Sequence, residues 1–307
     1  MRAMLLKLPL KISCAHQAGP GLLACAFALA FTLAGATLPA AARTPSKSSP
    51  AAAAASDEPA FKLAVNAKHA LVLEEGTGRV LMQKNPDEMV PIASLTKLVT
   101  AMVVLDAKLD MNEKIRIQPD DVDTLKHSAS RLRVGTELTR MAALKMALMA
   151  SENRAAAALG RTFPGGMAGF VQAAQAKVRS LGLHRTAIAE PTGLSPQNIS
   201  TATEVAKIAS AAGRYADISR ITSDKLEQVA LNGKPRQVNN TNRLVGARGW
   251  DIRLSKTGYT EEAGRCLTMR MMSGGKPVTV VLLDADGSGQ RLRDAARIRQ
   301  TLAKLRS

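Results

Sequence analysis

The chain has 307 residues, of which 46% are hydrophobic and only 3% are aromatic, a composition that suits one or two domains with an aliphatic core. Its formal net charge of +17 favours an anionic partner or surface, although a basic surface that is simply solvated is the alternative. The few aromatic residues and the lack of a nucleic-acid-binding motif argue against nucleic acid as that partner.

The N-terminus has the layout of a secretory signal peptide. Basic residues between Arg2 and Lys11 come first, an apolar run covers residues 21–38, and the small residues Ala40–Ala42 form a cleavage site. We therefore predict a signal peptide over residues 1–42 and export of the protein. The apolar run is at the lower limit for a transmembrane helix, so an uncleaved anchor is the alternative.

A Pro/Ser/Ala-rich segment follows the signal peptide. We predict that residues 43–60 form a disordered linker and that residues 61–307 form the folded domain. Cys14 and Cys25 fall inside the signal peptide, so the mature chain keeps only Cys266 and is predicted to have no internal disulfide.

The first half of the folded region is predicted to contain a strand pair and then helices. Apolar runs separated by a Gly-containing turn predict the strand pair, and helical spacing of apolar residues predicts the helices. The predicted strands cover residues 70–73 and 79–82, and the predicted helices begin near 91–94 and cover 138–150, 154–159 and 165–180.

The second half is predicted to return to a sheet. After a turn-rich loop over 191–196, a helix over 203–211 has a cap at Thr201 or Thr203. The later elements are a strand over 254–258, a hairpin of 267–272 with 278–283, and a C-terminal helix over 291–305 that packs on the sheet. Strands, then helices, then strands predict an α+β fold, in which an antiparallel sheet carries a helical insertion.

Three short motifs follow one another along the chain: Ser94–Lys97 (S-x-x-K), Ser151–Asn153 (S-x-N) and Lys256–Gly258 (K-T-G). Each alone is weak, and Ser273–Lys276 also fits S-x-x-K, but its two glycines predict a turn between strands. The first motif opens a helix, so the side chain of its lysine lies on the same face as the serine hydroxyl.

Histidine is excluded as the partner of a reactive serine. His16, His69, His127 and His184 are scattered, and neither metal-ligand spacing nor a Ser-His-Asp arrangement is suggested. We therefore expect no metal and no cofactor, and a base other than histidine.

The motifs and their flanking residues resemble those of the serine D-Ala-D-Ala peptidases among the low-molecular-mass penicillin-binding proteins. The resemblance runs from about Val65 to the end of the chain and is greatest for the endopeptidase branch. Besides the three motifs, it is carried by Val90–Ser94, Pro191–Ser195, Asn240–Leu244, Ser255–Thr260 and Glu262–Gly264. It implies a β-lactamase/transpeptidase-like fold and a catalytic domain over 61–307.

The resemblance also implies a role for each motif residue. Ser94 is the nucleophile, Lys97 its base, Ser151 a proton relay, and Asn153 a positioning group. Lys256 and Thr257 bind a substrate carboxylate, Gly258 lets the backbone approach the ligand, and the N–H groups of Ser94 and Tyr259 form the oxyanion hole.

The implied activity is hydrolysis of D-Ala–diaminopimelate cross-links in peptidoglycan in the periplasm, with β-lactam antibiotics as covalent inhibitors. The basic surface then favours association with anionic cell-wall polymer or lipid headgroups. The alternatives are a D-Ala-D-Ala carboxypeptidase, a β-lactamase in which Glu190 activates water, and a non-catalytic wall-binding module.

Overall fold

The computed structural model describes residues 58–305. The predicted signal peptide and most of the predicted linker lie outside these residues. In the described part of the chain, no helix has both the length and the apolar character needed to cross a membrane.

Strands and helices alternate in blocks along the chain. The strands are β1 (His69–Glu74), β2 (Val80–Lys84), β3 (Val90–Pro91), β4 (Lys114–Arg116), β5 (Glu137–Thr139), β6 (Ile199–Ser200), β7 (Leu226–Leu231), β8 (Lys234–Asn239), β9 (Asp251–Thr260), β10 (Gly264–Ser273) and β11 (Lys276–Ala285). The helices are α1 (Lys97–Asp106), α2 (Arg140–Met149), α3 (Asn153–Arg161), α4 (Gly166–Ser180), α5 (Ala202–Ala212), α6 (Ala216–Ser223) and α7 (Ser288–Lys304). This arrangement confirms the α+β prediction.

The main sheet is antiparallel and has the strand order β2-β1-β11-β10-β9. Because side chains alternate between the two faces of a strand, β11 contributes to two separate cores. Val281 and Leu283 pack into the core formed with the helical region, whereas Val280 and Leu282 pack under α7. The C-terminal helix therefore packs on the sheet, as predicted.

The face of α7 that packs on the sheet also carries buried charged residues. Ala295, Ile298 and Leu302 are buried, but so are Arg291 and Asp294. The carboxylate of Asp294 accepts hydrogen bonds from the backbone N–H groups of residues 66 and 67, at 2.8 and 3.0 Å. These bonds satisfy the buried charge, so a carboxylate is stable on the packed face of the helix.

Two other local predictions are confirmed. The side chain of Thr201 accepts a hydrogen bond from the backbone N–H of Glu204 and so caps α5. Ser273–Lys276 is a hairpin turn between β10 and β11, and both of its glycines have positive φ.

The hairpin of β7 and β8 was not predicted. Its two strands pair along their whole length, and the turn is Asn232-Gly233, with φ of 51° and 73°. Asn-Gly is the preferred sequence for a two-residue hairpin turn with positive φ at both positions. The sequence therefore contained the signal for this hairpin.

Candidate active site

Ser94 lies in a single turn of 3-10 helix, Ala93–Thr96, that leads directly into α1. The turn begins with Ala93 at a φ of 46°, which is rare for a residue with a side chain. Strained backbone of this kind is common at functional sites, where the surrounding structure holds it in place. Here the packed neighbours Ile92 and Leu95 are both buried and fix the turn.

Lys97, the first residue of α1, is 1% exposed and donates hydrogen bonds to three oxygen atoms. These are Ser94 Oγ at 2.9 Å, Asn153 Oδ1 at 2.8 Å and the carbonyl oxygen of Thr192 at 2.5 Å. An ammonium group has three donors, so the position of Nζ is fully defined. The predicted contact between Ser94 and Lys97 is present.

Burial lowers the pKa of Lys97 from 10.5 to about 8, although the carboxylates of Glu190, Glu152 and Asp123 oppose this shift. A lysine pKa of about 8 increases the neutral fraction at pH 7 by roughly 300-fold over an ordinary lysine. Desolvation, rather than a neighbouring cation, is therefore the largest cause of the lowered pKa that makes the neutral amine available.

Ser151 and Lys256 form the second serine–lysine pair. Lys256 is 1% exposed, and its Nζ donates to Ser151 Oγ and to the carbonyl oxygen of Thr257, both at 2.8 Å. Burial and the positive charges of Lys97 and Arg291 hold the pKa of Lys256 well below its usual range. Ser151 lies between α2 and α3 with a φ of 58°, a second rare backbone conformation at this site.

Asn153 connects Lys97 to a loop that sequence reasoning did not assign to the site. While its Oδ1 accepts from Lys97, its Nδ2 donates to Ser128 Oγ at 2.8 Å. The neighbouring Glu152 is 5% exposed and accepts from Ser130 Oγ at 2.5 Å. The middle residue of S-x-N thus holds the 128–130 loop, a role that no sequence pattern indicated.

Two glycines allow the backbone to approach Ser94 closely. A Cβ on Gly193, which has a φ of 81°, would lie 2.0 Å from the carbonyl oxygen of Ala93. A Cβ on Gly258 would lie 3.0 Å from Ala93 Cβ and 3.1 Å from Ser94 N. The glycine of K-T-G is therefore needed for packing of β9 against the Ser94 turn.

We expect Gly258→Ala to reduce acylation by a β-lactam roughly tenfold or more, because displacements well below 1 Å at a reacting centre lower the rate strongly. The measurement is the second-order rate of labelling by a fluorescent penicillin. Gly287→Ala is the matched control, since the nearest atom to its Cβ would be 3.8 Å away. Equal rates for the two variants would contradict the packing role of Gly258.

Glu190 stabilises the loop that presents the carbonyl of Thr192 to Lys97. Its carboxylate accepts from the backbone N–H groups of Thr192 and Gly193, both at 2.6 Å, and from Asn198 Nδ2 at 3.0 Å. It also accepts from the Thr192 hydroxyl at 2.6 Å. The glutamate considered as a water-activating group is thus engaged with its own loop.

The remaining predicted residues line one cleft of about 550 Å³ beside Ser94. Tyr259 is half exposed there, and the guanidinium of Arg265 stacks on its ring at 3.5 Å from the ring centre. The cleft is lined by Ser94, Ser151, Asn153, Thr257, Gly258 and Tyr259, together with Thr241, Arg243, Arg265, Ser288, Gly289, Arg291 and Leu292. The structure thus brings all the predicted site residues together, with Lys97 and Lys256 buried beneath the cleft.

Arg291 is the main cleft residue that sequence reasoning missed. It projects from α7 and donates to the carbonyl oxygens of Cys266 and Gly258, at 2.7 and 3.3 Å. Its signal in the sequence was weak, because a basic residue on a basic C-terminal helix suggests exposure. In residues 58–305, no group of three His, Cys, Asp or Glu side chains is placed to hold a metal ion.

A serine activated by a buried lysine, with a second serine–lysine pair beside it, defines a class of serine peptidase that forms an acyl-enzyme without histidine. The comparisons with known proteins lead to the same class. A sequence profile described as D-alanyl-D-alanine carboxypeptidase matches residues 52–287, and the chain belongs to this peptidase family.

Two curated relatives are named D-alanyl-D-alanine endopeptidase. The protein from Pseudomonas aeruginosa is 44% identical to this chain over 76% of each sequence, and the one from Escherichia coli K12 is 42% identical over 75% of each. Both confirm the resemblance to the endopeptidase branch.

Penicillin-binding protein D2 from Listeria monocytogenes, solved in an ampicillin-bound form, has the same fold. It superposes with a TM-score of 0.70 at 26% identity, over 79% of this chain and 99% of that one. The predicted β-lactamase/transpeptidase-like fold is therefore confirmed.

Proposed function

We propose that this enzyme is a D-alanyl-D-alanine endopeptidase that hydrolyses D-Ala–diaminopimelate cross-links in peptidoglycan through an acyl-enzyme on Ser94. The observation that carries the proposal is the 2.9 Å contact between Lys97 Nζ and Ser94 Oγ, made by a lysine with a lowered pKa. The names and identities of the two curated relatives support the endopeptidase assignment. We further propose export to the periplasm, where this substrate lies.

In the acylation step, Ser94 Oγ attacks the carbonyl carbon of D-Ala while neutral Lys97 accepts the hydroxyl proton. The backbone N–H groups of Ser94 and Tyr259 stabilise the oxyanion of the tetrahedral intermediate. Collapse of this intermediate breaks the C–N bond, and the leaving amine receives a proton through Ser151. Water then hydrolyses the ester, which releases the D-Ala carboxylate and restores the Ser94 hydroxyl.

Lys256, Thr257 and Arg291 hold the carboxylate that lies next to the scissile amide on the leaving group. Arg291 supports this role because it lines the same cleft and adds a cation close to Lys256. The electrostatic attraction between a buried cation and a substrate carboxylate is stronger than that of an exposed cation, since solvent screens the buried charge less. The same carboxylate is present in cross-links and in terminal D-Ala. These three residues therefore position either substrate in the cleft and do not discriminate between the two.

The rate of acylation should rise with pH through about 8, since only the neutral form of Lys97 accepts the Ser94 proton. Below that pH the rate should fall about tenfold per unit. A pH series of fluorescent-penicillin labelling on the folded enzyme measures this limb. A rate that is constant from neutral pH through 8 would show that Lys97 is not the base.

The proposed substrate is tested by digesting purified muropeptides and measuring the products by mass. We expect cross-linked dimers to be converted to monomers, with slower or no removal of terminal D-Ala from monomeric pentapeptides. If dimers persist while pentapeptides are trimmed, the enzyme is a carboxypeptidase instead. Rapid release of hydrolysed penicillin from the enzyme would indicate a β-lactamase.

We also propose that β-lactams acylate Ser94 and act as covalent inhibitors. The support is the intact Ser94–Lys97 pair and the fold shared with a penicillin-binding protein solved with ampicillin bound. Association with anionic wall or lipid is consistent with the formal net charge of +17.

A further inference from the structure

A second cavity, of about 590 Å³, lies beside the β7–β8 hairpin and is strongly basic. Arg131 and Arg133 approach it from the loop before β5, while Lys234 and Arg236 approach it from β8. We refer to these four residues as the basic cavity. Its volume is in the range of sites that bind a small molecule or a peptide segment.

The side chains of the basic cavity have no anionic partner within residues 58–305. None of the four side chains makes a hydrogen bond or an ion pair there, whereas the side chains of basic residues nearby are paired. Arg116 pairs with Glu137 at 2.7 Å, and Lys145 pairs with Glu227. Four unpaired cations around one concavity repel one another, so the cavity is electrostatically suited to an anion.

The basic cavity adjoins the catalytic cleft through Glu152, the middle residue of the S-x-N motif. The backbone N–H of Glu152 donates to the carbonyl oxygen of Met146, which lines the cavity, at 3.1 Å. Its carboxylate accepts from the backbone N–H of Arg131 at 3.2 Å. Because Ser151 and Asn153 flank Glu152 and line the cleft, the two concavities lie on either side of one turn.

The wall on the β8 side is part of a paired strand. The two-residue Asn-Gly turn closes the β7–β8 hairpin tightly, and Lys234 and Arg236 follow that turn on β8. The paired strand fixes the backbone of both residues, which lowers the entropy cost of ordering their side chains around a ligand.

We propose that the basic cavity is an exosite that binds the free carboxylates of a neighbouring peptide stem on the polymer being cut. Guanidinium groups match carboxylates with two parallel hydrogen bonds, and three of the four lining cations are arginines. The inference rests on the proposed function, because that function brings a carboxylate-rich polymer to the adjacent cleft. The exosite increases the affinity for the intact wall and leaves the chemistry at Ser94 unchanged.

The test is the triple variant Arg133→Ala/Lys234→Ala/Arg236→Ala. Its matched control is Arg179→Ala/Lys207→Ala/Arg297→Ala, which removes the same charge from exposed helix positions outside the cavity. At low salt we expect the cavity variant to digest intact sacculi roughly tenfold more slowly, as the loss of several weak charge contacts predicts. Its activity should also depend less on salt than that of the control.

Two further measurements separate the exosite from a structural effect. Penicillin labelling and cleavage of small soluble cross-linked dimers should be unchanged in the cavity variant. If either falls as much as sacculus digestion, the cavity supports the fold or the active site and the exosite is excluded. Equal sacculus digestion by the cavity variant and the control would also overturn the proposal.

Binding is measured separately from cleavage, in a Ser94→Ala background with isolated sacculi as the probe. We expect the cavity substitutions, or amidation of the sacculus carboxylates, to reduce pelleting with sacculi several-fold. Pelleting does not require cleavage, so its result tests the exosite independently of the endopeptidase assignment. Either of the two proposals can be wrong while the other is right. If instead the substitutions abolish only pelleting with phosphatidylglycerol vesicles, the cavity binds a lipid surface and the proposal is wrong.

Discussion

Replacing Ser94 with alanine should abolish the covalent penicillin adduct and lower peptide cleavage by roughly 10⁴-fold or more, as in other serine peptidases that lose their nucleophile. No other hydroxyl accepts a hydrogen bond from Lys97 among the described residues, so we expect no substitute nucleophile. Intact-protein mass spectrometry after incubation with benzylpenicillin measures the adduct, and peptide mapping identifies its position.

Ser273→Ala is the matched control for this substitution. Ser273 is the serine of the second S-x-x-K sequence, but it ends β10 at a hairpin turn and does not line the cleft beside Ser94. We expect the control to form the adduct at the wild-type rate. An adduct that survives in Ser94→Ala, or one that maps to Ser273, would refute the assignment of Ser94.

Replacing Lys97 with arginine should reduce acylation about as much as replacing it with alanine, by roughly 10²- to 10⁴-fold. Arginine keeps the positive charge but cannot be deprotonated in a protein, so it cannot act as the base. The substitution therefore separates a requirement for charge from a requirement for proton transfer. Labelling by fluorescent penicillin gives the rate, and thermal unfolding shows whether the variant is folded.

Lys276→Arg provides the comparison for Lys97→Arg. Lys276 is the lysine of the second S-x-x-K sequence, and this exposed side chain pairs with the buried carboxylate of Glu74 at 2.9 Å. Arginine can make the same ion pair, so activity should be retained. If Lys97→Arg also retained appreciable activity, the proton would have to leave Ser94 by another route.

The sequence predicted which residues meet at this site better than it predicted the contacts around them. Ser94 and Lys97 are close in the chain and share a helix face, so their contact follows from local geometry. The contact of Lys256 with Ser151 joins residues 105 positions apart, and the sequence did not predict it. Apolar spacing predicted the strands of the main sheet and most of the helices, but it missed α6 and the β7–β8 hairpin.

The contacts that were missed involve groups without a sequence signature. The carbonyl oxygen of Thr192, which accepts from Lys97, is a backbone atom that every residue possesses. Ser128 and Arg291 reach the site because separate elements converge in three dimensions. Only the β7–β8 hairpin had a readable local signal, in its Asn-Gly turn.

The pairing of β1 with β11 has a consequence for the order of folding. His69 pairs with Leu283, so the centre of the sheet joins the two ends of the described domain. The entropy of closing so long a loop must be overcome before these contacts contribute, which slows folding. The hydrogen bonds within each helix between β2 and β9 are local, so we expect these helices to form earlier than the β1–β11 pairing. Because the cleft lies between those helices and β9, a newly made chain gains its reactivity towards penicillin only at the last stage, when the C-terminal strands are in place.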